Sequence, residues 1–140
     1  SSIYLLFHGS IVFAAGVLSG ILYWQSIIRN KNPATVRSWR VAHSFLTIYG
    51  MWMLIAWLIT PSLFLSESII SVLRWALVVG GYAFVVAFIV GAWKGYRGLT
   101  PKPYGLNTIL FGGHFIGILG SLFGIAIIIC GIFRTLIQCK

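Results

Sequence analysis

The chain has 140 residues, 59% of them hydrophobic and only 8% charged, with a formal net charge of +9. So few charged residues cannot cover the surface of a water-soluble domain, and the length leaves no room for a second domain. On a soluble protein the positive charge would point to nucleic acid. Here the cations gather between long apolar runs, so a lipid bilayer replaces nucleic acid as the partner.

The first apolar run extends from Ile3 to about Ile28 without a charge. It is too long for a signal-peptide core and no basic leader precedes it, so it reads as a retained span. The stretch Asn30-Lys31-Asn32-Pro33 marks its end, because proline cannot continue a helix without losing a backbone hydrogen bond. A second run covers about residues 39–60 and stops at Pro61-Ser62. A third covers about residues 69–94. After a break at Thr100-Pro101-Lys102-Pro103, a fourth covers about residues 108–139. Each meets the roughly 20 residues needed to cross about 30 Å of hydrocarbon. Four spans with short connections predict an all-α membrane protein, a four-transmembrane-helix antiparallel bundle in a single domain over residues 1–140.

Most cations fall in two connections. Residues 29–40 carry Arg29, Lys31, Arg37 and Arg40, and residues 94–107 carry Lys94, Arg97 and Lys102. The sole acid, Glu67, lies toward the opposite side. The positive-inside rule makes both basic connections cytoplasmic and puts both termini outside, in an inner membrane of bacterial type. Anionic lipid headgroups are the simplest partners of these cations.

Glycines recur at helical spacing: Gly16 and Gly20, Gly91 and Gly95, and the series Gly113, Gly117, Gly120, Gly124 and Gly131. Such stripes let backbones approach closely, either within the chain or against a neighbouring subunit or a flat cofactor. Tyr4, Tyr23, Trp24, Trp39, Trp75, Trp93, Tyr96 and Tyr104 cluster near span ends and read as an interfacial belt. Cys130 and Cys139 fall on opposite faces of one helix and cannot pair within the chain. Neither stands in a CxxCH context, which excludes c-type haem attachment.

The three histidines are the candidate chemistry, because an imidazole in hydrocarbon needs a partner. His8 falls toward the outer leaflet. His43 and His114 fall at matched depth near the basic side. No acid or cysteine lies there to complete a transition-metal shell, and a single acid excludes a di-metal carboxylate site. Haem b fits better, since its porphyrin supplies four ligands and the protein need add only one or two. On this reading His43 is an axial ligand, His114 a candidate second one, and Arg40, Arg37 and Arg97 are cations for the propionates. The alternative for each histidine is a hydrogen bond to a carbonyl or hydroxyl of a neighbouring helix. Triad hydrolysis and phosphate-binding glycine loops have no support in the residues present.

The stretch Trp39-Arg40-Val41-Ala42-His43-Ser44, with Gly50 seven residues after the histidine, resembles the second helix of the styrene oxide isomerase family. The similarity continues through Pro61 to Arg97-Gly98-Leu99-Thr100, and Phe7-His8-Gly9 is similar to the family's first helix. The resemblance implies small four-helix membrane proteins assembled as homotrimers, with haem b at the subunit interfaces and His43 as axial ligand. It implies that the ferric iron acts as a Lewis acid on an epoxide oxygen. Ring opening and a 1,2-shift then give an aldehyde without net redox change.

The chain departs from the family pattern at three polar positions. Tyr49 stands for an asparagine, Phe88 for a tyrosine and Gly80 for an aspartate. Tyr49 is the candidate catalytic residue, as a hydrogen-bond donor or an iron ligand. The expected function is a haem-b-binding membrane protein with a redox or ligand-binding role toward a small apolar ligand. The alternatives are an epoxide isomerase, or a cofactor-free small subunit of a membrane complex.

Overall fold

The computed structural model describes residues 3–138. They form α1 (Ile3–Ile28), α2 (Pro33–Ile59), a 3-10 turn (Thr60–Ser62), α3 (Glu67–Lys94) and α4 (Leu106–Gln138), and no strand among the described residues. All four helices are long and apolar enough to cross a bilayer, so the chain is an integral membrane protein with an all-α four-helix bundle.

The largest correction to the expected spans is at α2, which begins at Pro33, six residues before Trp39. Pro33 does not only end the preceding run. It occupies the first turn of α2, where its missing N–H is no loss, and the Asn32 side chain caps the helix by accepting from the Thr35 N–H at 2.8 Å. Arg37 and Arg40 are therefore helical residues rather than loop residues. α3 starts at Glu67 with Ser66 as its cap, and ends where Gly95 takes the left-handed conformation at φ 80°. α4 starts at Leu106 and is described to Gln138, so Cys139 lies outside the described residues; Cys130 is exposed. Trp39 also departs from the expected interfacial belt. It is buried, with Ala42, Ala92 and Tyr23 around it.

The glycines set the packing. Along α1 and α2, a methyl group added at Gly9 would meet Met53, one at Gly16 would strike the Thr47 backbone, and one at Gly20 would strike the His43 ring. A methyl group at Gly50 would lie 2.5 Å from the Phe13 Cα. Positions rise on one helix as they fall on the other, which is an antiparallel pair at the closest backbone approach. Likewise Gly113, Gly117, Gly120 and Gly124 of α4 press on Ala83, Phe84, Ala76 and Leu77 of α3. The stripes on α1 and α4 thus serve packing within the chain, where dispersion replaces the hydrophobic effect as the cohesive force, whereas Gly95 of the Gly91 and Gly95 pair is the helix cap and meets nothing within 4 Å.

Two tight hairpins result, α1 with α2 and α3 with α4. They join mainly through α2 and α1 against α3, and α4 sits on the far side of α3. The shared core holds Leu46, Met53, Leu73 and Leu77, with Tyr49 and Phe84 at its centre. Large apolar residues such as Ile48, Phe115 and Phe123 face outward, as a lipid-facing surface requires.

Gly120 and Gly112 provide the test of this packing. A methyl group at Gly120 would meet the Ala76 carbonyl, whereas one at Gly112 would meet nothing within 4 Å. Gly120→Leu is expected to cost about 1–3 kcal/mol of unfolding free energy in detergent. Gly112→Ala is expected to stay within about 0.5 kcal/mol of the parent. Equal effects of the two would show that α3 and α4 are not in this register.

Candidate functional site

His43 stands on α2 facing α1. Its Nδ1 lies 2.9 Å from the Gly16 carbonyl oxygen. A carbonyl only accepts, so Nδ1 carries the proton and Nε2 holds the lone pair. The helical hydrogen bond occupies one lone pair of that carbonyl, and the second is reachable because neither Gly16 nor Gly20 has a side chain. A methyl group at Gly20 would lie 2.8 Å from Nδ1. The Tyr23 ring lies nearly parallel to the imidazole, at 19° and 6.5 Å between centroids. The His43 ring is half-buried and makes no second hydrogen bond among the described residues. The arrangement presents one oriented, unprotonated ring nitrogen. A metal-bound imidazole has this form, its other N–H held by a carbonyl. Arg40 is exposed one turn earlier on α2.

His114 is brought elsewhere. It is buried on α4 against α3, with Phe88 edge-on at 4.6 Å and Phe84 at 6.2 Å between centroids. Its polar neighbour is the backbone of Arg97. It lines a cavity of about 360 Å³ between the start of α2, the end of α3 and the α3–α4 connection, and Arg37 and Arg97 line the same cavity. His43 and Arg40 do not. Of the expected site residues, the fold therefore gathers Arg37, Arg97 and His114 in one place and leaves His43 and Arg40 in another.

Tyr49 points into the core, away from both. Its side chain is 5% exposed and its hydroxyl donates to the Leu77 carbonyl at 3.2 Å, with Ser121 beside it and the Phe84 ring edge-on. A methyl group at Gly80 would lie 2.8 Å from that hydroxyl oxygen. The phenol of Tyr49 thus fills the volume that a side chain at residue 80 would take. Phe88 packs on His114 and Phe45.

Of two further polar arrangements, the first is the hydroxyl partner expected as the alternative for a histidine, and the second has no counterpart in the sequence expectations. His8 Nδ1 pairs with the Tyr82 hydroxyl at 2.8 Å, 74 positions away. Asn107, buried at the start of α4, accepts from the Gly98 N–H at 3.0 Å and donates to the Thr100 and Lys102 carbonyls at 2.8 and 2.9 Å. It ties down the connection that carries Arg97. The one sequence signal for this is an asparagine among the apolar residues that open a span.

The contact between Tyr49 and Gly80 is open to a double-mutant cycle. Gly80→Ala alone is expected to lose about 1–3 kcal/mol of stability, and Tyr49→Phe alone about 1 kcal/mol. Together they should lose less than their sum by about 0.5–3 kcal/mol, because removing the hydroxyl makes room for the methyl group. Strict additivity would mean that the two side chains do not meet.

No curated protein and no solved structure matches the chain. One family's sequence model, described as styrene oxide isomerase, matches residues 2–133. That match takes in all of α1, α2 and α3 and most of α4, including His43, Tyr49, Gly80 and His114. The chain belongs to the styrene oxide isomerase family.

Proposed function

We propose that this chain is a haem-b-dependent membrane protein in which His43 would be the single protein ligand to iron, acting on a small apolar molecule such as an epoxide. The observation that carries the reading is the hydrogen bond from His43 Nδ1 to the Gly16 carbonyl, which sets the tautomer and aims Nε2 away from α1. The residues present fit a flat macrocycle. The imidazole is half-buried, so it is reachable from outside the chain, and the glycines at 16 and 20 leave its ring seated flush against α1.

Bound there, haem b supplies a Lewis-acidic ferric iron, the chemistry that the family resemblance implies for opening an epoxide. The protein's part is orientation and exclusion of water. The Gly16 carbonyl fixes the imidazole plane and increases the donor strength of Nε2. Tyr23 limits ring rotation. Arg40, exposed one turn earlier on α2, would pair with a propionate. A second copy of the chain would cover the exposed side of the imidazole, which accords with the homotrimer implied by the resemblance. The basic connections face the cytoplasm in this arrangement.

Single ligation is favoured over a six-coordinate electron-transfer haem because His114 packs against α3 while His43 packs against α1. Tyr49 does not take the second position either, since its hydroxyl is held by Leu77 inside the core. With Gly80 and Phe88 apolar, substrate orientation rests on shape and on the iron rather than on the family's polar side chains.

Protein purified in detergent is expected to show a haem Soret band with a high-spin ferric spectrum that shifts on adding an epoxide and yields an aldehyde. His43→Ala should lose at least nine-tenths of the haem while keeping the helical circular dichroism. No Soret band in the parent would favour the cofactor-free subunit. Full haem retention in His43→Ala would overturn the ligand assignment.

A further inference from the structure

We infer that the cavity formed by Arg37, Arg97 and His114 is a separate binding site for an anionic phosphate group, carried on a membrane lipid or free in solution. Its volume of about 360 Å³ falls at the lower end of ligand-pocket sizes, about 300–1,000 Å³. The two arginines that line it come from independent elements, the second turn of α2 and the connection after α3. Asn107 fixes that connection through the Gly98 N–H and the Thr100 and Lys102 carbonyls, so Arg97 is carried on an ordered loop.

The charge there has no counterpart in the protein. The chain's sole acid, Glu67, opens α3, whereas the cavity lies at that helix's other end, beside Gly91 and Gly95. A helix of 28 residues at about 1.5 Å per residue separates the two by roughly 40 Å. No acidic side chain of the protein compensates that charge, which leaves both arginines open to an external anion. Two arginines lining one cavity suit an oxyanion with several acceptor oxygens. Thr35, in the capped first turn of α2, also lines the cavity and adds a hydroxyl and the positive end of the helix dipole.

The rest of the wall is apolar. Phe88 lines the cavity and His114, nine-tenths buried, closes its inner side. A charged mouth over an apolar interior matches the phosphate and glycerol region of a phospholipid at the membrane surface. His43 and Arg40, on which the proposed haem site rests, do not line this cavity.

The test measures thermal unfolding of the detergent-purified protein by tryptophan fluorescence, titrated with phosphatidylglycerol, phosphatidylcholine or inorganic phosphate, with haem content recorded in parallel. Phosphatidylglycerol or inorganic phosphate is expected to raise the midpoint of the parent. Phosphatidylcholine, whose phosphate carries its own cation, should not. Saturation by inorganic phosphate that abolishes the lipid effect would assign a soluble phosphate; a lipid effect that phosphate does not compete with would assign a headgroup.

Arg37→Gln/Arg97→Gln should weaken the response at least tenfold with haem content unchanged. Arg29→Gln/Lys31→Gln, which alters basic residues outside the cavity, should leave it within twofold. An equal loss in both pairs would reduce the effect to diffuse surface charge and overturn the site. Loss of haem in the cavity pair without a phosphate response would overturn it in favour of propionate binding.

Discussion

The structure depends on how closely α1 and α2 approach one another. Glycines at 9, 16, 20 and 50 let the two backbones meet without intervening side chains, and that contact allows a helix-interior carbonyl to accept a second hydrogen bond from an imidazole. In hydrocarbon an unpartnered imidazole N–H is costly, so the bond stabilises the hairpin and fixes the tautomer of His43 at once. The fold and the candidate chemistry have a common cause, and neither can be altered at Gly16 or Gly20 without the other.

The same close packing on the other side of the molecule has a different result. α4 presses its glycines onto α3, His114 is enclosed by Phe84 and Phe88, and the basic ends of α2 and of the α3–α4 connection converge over it. Between these regions the core is closed by Tyr49, whose hydroxyl occupies the space over Gly80. Residues 49 and 80, far apart in the sequence, meet in three dimensions, and the phenol of one fills the space beside the other.

The four spans and their antiparallel order were legible because hydropathy over about 20 residues is a strong signal. The start of α2 was not, because proline ends one helix and opens another by the same lack of an N–H, and the apolar pattern does not distinguish the two uses. His43 and His114 were legible as polar residues within two of those spans. Their separation was not, since depth follows from residue count while the direction a side chain takes around its helix depends on which neighbour the helix meets. Gly16 and Gly20 carried that information for His43, read as a packing stripe rather than as a cradle. Nothing local marks the pairing of His8 with Tyr82, or of Tyr49 with Gly80, because each joins residues on different helices at positions of no periodic significance.

The central claim is that one imidazole, from His43, holds the iron. Electron paramagnetic resonance of the ferric protein, purified with its haem from membranes, tests it most directly. An axial high-spin signal, replaced by a low-spin one when free imidazole is added, is the expected result. A low-spin signal of two histidine ligands in the untreated protein would contradict it.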